Sequence, residues 1–388
     1  MNGNPSARIS RRDLLRQGSL ALVAGGVLAA CGGAAAPTPS TSNSAATSNQ
    51  AASVSAASSV GAASASASRA TLKLSLGLAS KPAPALPNSV LWLAKDLGFY
   101  DREGLDVALN ELDGTPTVIA AMLSGDIDVG NVSTDQVLKL TAQKSVDMRA
   151  IHSPDARQYF MVASKDSLAS PSDLKAKNFG VSKLGAVDDT MTRLVLANLN
   201  VKPTDLSYVN IGAPDARAQA LLAGRIDATT MSLSTWSSIQ HEKGVKTLIG
   251  ADDYYKAAPI VLKVDASTSK VVKEKSEQLR RFTAAIIKAS RAFAQDQKTW
   301  VDAMTKRRPD LKPQDVQDLW PAFKEAWATN GLLNLNDYQK TSDFLYGTDD
   351  FKGVPKLDLA GWTDTEFVDS VLKEIGVDPK IDPPGRTI

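Results

Sequence analysis

The chain is 388 residues long, 43% hydrophobic and 22% charged, with a formal net charge of +2. At roughly 150 residues per domain this length allows about two domains, each with a real core. Balanced charge argues against a nucleic-acid binder, and one cysteine with two histidines excludes a disulfide scaffold and the usual Cys/His zinc clusters.

The charge is unevenly placed. Residues 1–30 carry Arg8, Arg11, Arg12 and Arg16 against Asp13 alone, and residues 31–68 carry no charged side chain. Ser19 to Ala30 is uncharged and mostly apolar. Twelve helical residues span about 18 Å, too short for a hydrocarbon core of roughly 30 Å, so residues 1–30 read as a signal peptide. Ser10-Arg11-Arg12-Asp13-Leu14-Leu15 resembles a twin-arginine export signal, with Leu14 where Phe is frequent. Leu28-Ala29-Ala30-Cys31 resembles a bacterial lipobox, which implies cleavage before Cys31 and a diacylglycerol on its sulfur. Each buried acyl methylene adds about 0.8 kcal/mol to such an anchor. Residues 31–70 are rich in Ala, Ser and Thr and lack a hydrophobic period, so they are expected to be a disordered linker. A flexible coil of that length reaches roughly 30–37 Å.

From Thr71 strand and helix alternate. Leu72, Leu74 and Leu76 alternate with Lys73 and Ser75, a half-buried strand. Asn88-Ser89 caps a helix carrying Val90, Leu91, Ala94 and Leu97, which Gly98 closes. Asp101 to Gly104 reads as a turn and Leu105, Val107 and Leu109 as the next strand. Thr115 is an N-cap with Pro116 at the first helical position; Gly125 ends that helix, and Ile127 to Val129 is a strand. The same grammar returns with strand Phe179 to Val181, a helix capped by Asp188 or Asp189, and strand Leu206 to Val209. A helix from Pro214 to Gly224 and a strand from Ile226 to Ala228 complete it. Leu123 to Val129 matches Leu222 to Ala228 at an offset of 99 residues, and Ser133 then matches Ser232. That offset is too long for a solenoid repeat and predicts two α/β lobes built alike. The last third reads as helices, marked by Leu279, Phe282, Ile286 and Phe293, then by Val316, Leu319, Trp320, Phe323 and Trp327. Thr363 with Glu366 predicts a capping box on a final helix that Gly376 stops.

Over about residues 71–300 the chain resembles the nitrate/sulfonate/taurine-type substrate-binding proteins of ABC importers. The stretches that carry the resemblance are Val90 to Tyr100, Glu103 to Val107, Met122 to Asn131, Asp173 to Lys175, Gly180 to Gly185 and Leu221 to Thr229. It implies an α/β, two-lobed periplasmic-binding-protein-like fold (type II), each lobe a mixed sheet flanked by helices, with extra C-terminal helices. Lobe one would be 71–158 plus 255–388 and lobe two 159–254. The crossings would fall near Gln158 to Val162 and Asp252 to Pro259.

Ligands of open α/β sheets sit beyond the carboxyl ends of the strands, where helix N-termini offer unpaired N–H groups. The residues placed there are Asn88, Thr115, Asn131, Ser133, Thr134, Lys183, Gly185, Asp188 and Ser232, with Trp92 and Trp236 as stacking candidates. Each polar one also reads as an ordinary cap, and each Trp as packing. Asp188 and Asp189 beside a helix start would compete with a bound anion unless Lys183 compensates.

The expected function is capture of a small organic solute or anion of the nitrate/sulfonate/taurine class, and its delivery to an ABC permease with its ATPase. A neutral or zwitterionic heterocycle (a pyrimidine, thiamine precursor or riboflavin type) and a sensory binding lipoprotein are the alternatives. No catalytic residue, metal or cofactor is expected. A related branch that makes a pyrimidine precursor from its own histidine depends on cysteine and histidine features absent here. The chain is expected to be a monomer outside the cytoplasm, held to the membrane by lipid at Cys31, with no nucleic-acid partner.

Overall fold

Leucines alternating with Lys73, Ser75 and Gly77 draw the chain into β1 (Leu72–Leu78). The computed structural model describes residues 71–184, 187–332 and 335–380, all in one compact unit. The expected signal peptide, Cys31 and the 31–70 linker lie outside the described residues, as does Gly185. After β1 come α1 (Val90–Asp96), α2 (Phe99–Arg102), β2 (Leu105–Glu111), α3 (Gly114–Ser124), β3 (Val129–Ser133), α4 (Thr134–Ala142) and β4 (Met148–His152). The next run is β5 (Phe160–Lys165), β6 (Asn178–Val181), α5 (Val187–Asn198), β7 (Ser207–Asn210), α6 (Pro214–Leu222), β8 (Ala228–Ser232), α7 (Leu233–Ser237), β9 (Val245–Ile249) and α8 (Ala251–Ala257). The chain returns through β10 (Lys263–Thr268) to α9 (Ser269–Glu274), α10 (Ser276–Gln295), α11 (Gln297–Arg307), α12 (Pro313–Phe323), α13 (Leu335–Tyr346) and α14 (Glu366–Ile375).

Two five-stranded sheets result, ordered β2-β1-β3-β10-β4 and β7-β6-β8-β5-β9. In each, three strands run parallel and the fourth, β10 or β5, runs antiparallel to both its neighbours. That antiparallel strand is the one reached by a crossing of the chain, so each half lends the other a strand.

The repeat seen in sequence is a repeat in space. Gly125 and Gly224 end α3 and α6 with φ of 86° and 70°, where a side chain would be strained. Ser133 and Ser232 occupy the N-cap positions of α4 and α7. Asp128 Oδ2 accepts the Ser75 N–H at 2.9 Å and pairs with Lys275, while Asp227 Oδ2 accepts the Asn178 N–H at 2.9 Å and pairs with Lys165. The duplicated aspartate therefore pins the neighbouring parallel strand in both sheets.

Several local expectations shift. β3 and β8 begin at Val129 and Ala228, two residues later than expected, because the preceding residues serve that fastening. α3 starts at Gly114 with Asp113 as N-cap, so Thr115 lies inside the helix. Asp101 and Arg102 end the short helix α2, and Glu103 and Gly104 make the expected turn. Thr363 and Glu366 form no capping box: Thr363 Oγ1 donates to Leu359 O, and Asp364 Oδ1 accepts the Glu366 N–H. Trp327 lies beyond the end of α12. The return crossing is 258–262, later than expected, because Asp252 to Ala257 is helical and Tyr254 packs in the core of the second sheet.

The C-terminal aromatic residues pack behind the first sheet. Trp300 meets Trp327 at 5.4 Å and Phe323 at 5.8 Å between ring centres, in a core shared with α1 and α10. Each fully buried large apolar side chain contributes about 1.5–3 kcal/mol.

Candidate functional site

Strand register decides which edges of the sheets meet. Leu78 ends β1, Ser133 ends β3 opposite Lys263 at the start of β10, and His152 ends β4 opposite Asp265. These lie along one edge of the first sheet. Phe160 opens β5 opposite Ser232, where β8 ends, and Val181 and Asn210 end β6 and β7 on that edge of the second sheet. The crossings 153–159 and 258–262 leave from these edges, and Gln158 Nε2 ties them together by donating to Ala258 O at 3.3 Å. The carboxyl ends of the parallel strands therefore face one another across the crossings, where open sheets place their ligands.

Unpaired polar atoms gather at this place. Asn88 Oδ1, Asn131 Oδ1, Thr134 Oγ1 and Asp155 Oδ1 on the first side are buried without a hydrogen-bond partner, as is Arg217 Nε on the second. A buried polar group left unpaired costs about 1–3 kcal/mol, so such a cluster asks for a partner from outside the chain. Asn88 sits in a single helical turn, Pro87–Ser89, before α1. Its neighbours are braced from behind: Trp327 Nε1 donates to Pro87 O and Trp300 Nε1 to Ser89 Oγ, both at 3.1 Å. Asn131 Nδ2 donates to Asp265 Oδ1 at 2.9 Å. Thr134 is anchored by its backbone N–H to Leu262 O at 3.0 Å. Thr115 Oγ1 accepts the Ser133 N–H at 3.1 Å, so these two residues join the ends of β3 and α3.

Burial pushes the Asp155 carboxyl up to about 8, with Lys263 opposing and Asp265 reinforcing. The same burial lowers Lys263, against the pull of Asp155 and Asp265. His152 Nε2 lies 2.9 Å from Asp265 Oδ2, both side chains wholly enclosed, and the imidazole packs on Phe282.

On the second side Arg217 is 3% exposed. Its terminal nitrogens donate to Gly212 O at 2.6 Å and Thr230 O at 3.2 Å, and burial lowers it while Asp188, 3.5 Å away, opposes that shift. Asp188 also accepts from the Ser182 N–H at 3.0 Å and from the Ser182 hydroxyl. Thr192 and Thr230 share a hydrogen bond of 2.7 Å beside Tyr254, which burial pushes up to about 12.

The cleft thus gathers Asn88, Asn131, Thr134 and Asp188, with Thr115 and Ser133 as supports. The stacking expected of Trp92 and the charge compensation expected of Lys183 are corrected. Trp92 is fully buried and its Nε1 donates to Glu111 Oε1 at 2.6 Å, so its ring belongs to the core and cannot stack on a solute. The charge of Asp188 is met by Arg217; Lys183 is exposed. Asp189 pairs with Arg193 at 2.8 Å. Ser232 caps α7 by accepting the Thr235 N–H at 3.1 Å, and half-buried Trp236 packs against the cluster of Met161, Leu221 and Met231. Sequence reading passed over Arg217, Tyr254 and Asp155. Arg217 did leave a signal: it stands four residues before Leu221, on the face α6 buries.

Among the described residues no three His, Cys, Asp or Glu side chains cluster as a metal site, and no helix is long and apolar enough to cross a membrane. What the cleft offers is hydrogen-bonding capacity held on two sheets.

Comparison with known proteins agrees with this geometry. The family model described as NMT1/THI5 like matches residues 88–299. A binding protein of Brucella abortus is 25% identical over 239 residues, which cover 57% of this chain and 72% of that protein. Among solved structures, a periplasmic sulfonate-binding protein of Methylobacillus flagellatus superposes with a TM-score of 0.65 at 16% identity, covering 82% of this chain and 100% of that one. A periplasmic nitrate-binding protein of Synechocystis gives a TM-score of 0.58 at 12% identity, covering 81% of this chain and 91% of its own. At these identities the structural likeness is one of fold: the two-lobed fold of periplasmic binding proteins.

Proposed function

The chain belongs to the NMT1/THI5-like family, and on that premise we propose that it is the solute-binding component of an ABC importer. A small solute enters between the lobes, the lobes close about the two crossings, and the closed form docks on a permease. The observation that carries this reading is the set of buried, unpaired polar atoms where the two carboxyl edges face each other. Export and lipid attachment at Cys31 would hold the protein, as a monomer, at the outer face of the membrane that carries the permease. Two solute classes follow from the resemblance, the nitrate/sulfonate/taurine class and a neutral or zwitterionic heterocycle. Closure is driven only if the solute binds the closed form better than the open one.

A thermal-shift screen of the full chain against sulfonates, nitrate, taurine, pyrimidines and flavins tests the reading. Ligand at about 100 times its dissociation constant adds about 2.7 kcal/mol to stability. X-ray scattering with and without a stabilising solute should show a smaller radius of gyration when it is bound. A size that no stabilising solute changes would count against closure.

A further inference from the structure

Two of the cleft's unpaired atoms have fixed and opposite roles. Thr134 Oγ1 on the first side and Tyr254 OH on the second are hydroxyls that can donate or accept, but Asn131 Oδ1 is an amide oxygen and Arg217 Nε carries a hydrogen. The Asn131 amide cannot be turned over. Its Nδ2 donates to Asp265 Oδ1 at 2.9 Å, and a carboxylate oxygen offers only lone pairs. Reversal would set oxygen against oxygen in a buried place. Asp265 is held in turn: it is fully enclosed, and its other oxygen lies 2.9 Å from His152 Nε2. Asn131 Oδ1 is therefore fixed as an acceptor that lacks a donor. Arg217, with its end nitrogens donating to two backbone carbonyls, is equally fixed as a donor that lacks an acceptor.

From this asymmetry we infer that the cleft selects a dipolar solute, one that turns N–H hydrogens toward Asn131 and an oxygen toward Arg217, and that Asp265 is the positioning residue behind the choice. The inference rests on the reading of the cleft as a solute site. Nitrate or a simple alkanesulfonate has oxygens but no donor. Against the first side it would leave a buried acceptor unpaired and add like-charged repulsion from Asp265. A site built around a hydrogen bond rejects the analogue that lacks the matching group far more strongly than an apolar pocket rejects a missing methylene.

Matched pairs on the full chain provide the test: taurine against ethanesulfonate, β-alanine against propionate, with cytosine and nitrate as further probes, read by thermal shift and calorimetry. The expected result is binding of dipolar members, with donor-free partners at least about tenfold weaker, a difference of about 1.4 kcal/mol. Asp265→Asn keeps the shape of the side chain but can either donate or accept, so Asn131 regains its freedom to reverse. In that variant the preference ratio should fall toward one, a change that loss of stability alone would not produce. Equal binding of both members of a pair by the unmodified protein overturns the inference, and so does an Asp265→Asn protein that keeps the full preference. Response to the donor-free members alone overturns this inference and leaves the solute-binding reading standing. Silence from every probe counts against both.

Discussion

Asp155 stands in the first crossing, bridged through its backbone to Trp327 and 8% exposed. Burial lifts its carboxyl to about 8 from an ordinary value of 3.8. Such an acid holds its proton more tightly folded than unfolded. Its contribution to stability is complete below the unfolded value and is lost as pH rises through the folded one. Between about pH 5 and pH 8 the protein should therefore lose stability, by on the order of a few kcal/mol from this group. Asp155→Asn cannot ionise, so the variant should show a flatter profile and exceed the parent above about pH 8. Urea titrations of both proteins across this range check it, and parallel profiles would refute the assignment. Nothing in the sequence marks Asp155, because its environment is made by Lys263 and Asp265 from the far side of the repeat. Asn88, Asn131 and Thr134 were legible because strand–helix junctions place polar residues at the sheet edge by local rules alone. Trp92 misled for the opposite reason: closeness in sequence to a helix start says nothing about which way an indole faces.

The duplicated helix-Gly-strand unit was legible because its function is local. The left-handed glycine and the serine at the next N-cap position act within or next to their own unit. The starts of β3 and β8 were misplaced because the hydrogen bonds that delay them come from β1 and β6, some 50 residues away in sequence. Packing also separates two strand glycines that are not counterparts in the repeat, Gly130 of β3 and Gly180 of β6. A Cβ on Gly130 would lie 2.7 Å from Val118 Cγ1 and 2.5 Å from Met122 Sδ; one on Gly180 would lie 2.6 Å from Ile226 Cδ1. The far end of isoleucine can swing aside, whereas a β-branched methyl on a helix cannot. Gly130→Ala should cost about 1–3 kcal/mol and Gly180→Ala less. Adding Val118→Ala to Gly130→Ala should recover part of the loss, because the clash with the Val118 methyl disappears and the flexible Met122 thioether can move aside. Denaturation midpoints of the four proteins would decide it; equal losses at the two glycines would mean that the sheets yield where the side chains do not.

Two alike lobes could be read from the sequence, but what spans them could not. The helix α13 has no counterpart in the repeat, yet it bears on both halves. Half-buried Phe344 packs against the core around Val118 and Leu138 and also against the core around Phe179 and Val195. Thr341 Oγ1 accepts the N–H of Val261 in the return crossing at 2.8 Å, and Tyr255 OH donates to Asp337 Oδ2 at 3.1 Å. No helix is read there from the sequence, because a contact shared by two cores leaves no period of its own. If the lobes move about the crossings, contacts of Phe344 with both cores are made in this arrangement and not when they part. Phe344→Ala should then shift the population toward the open form. A solute that binds the closed form would lose apparent affinity in proportion to the closed fraction that remains. Calorimetry should show weaker binding, and scattering of the solute-free variant a larger radius of gyration. A saturating solute should restore the parent's size, because mass action draws the remaining closed molecules out of the mixture. If affinity falls while a saturating solute leaves the size of both parent and variant unchanged, α13 braces a rigid body, and hinge motion would have to be sought elsewhere along 153–159 and 258–262.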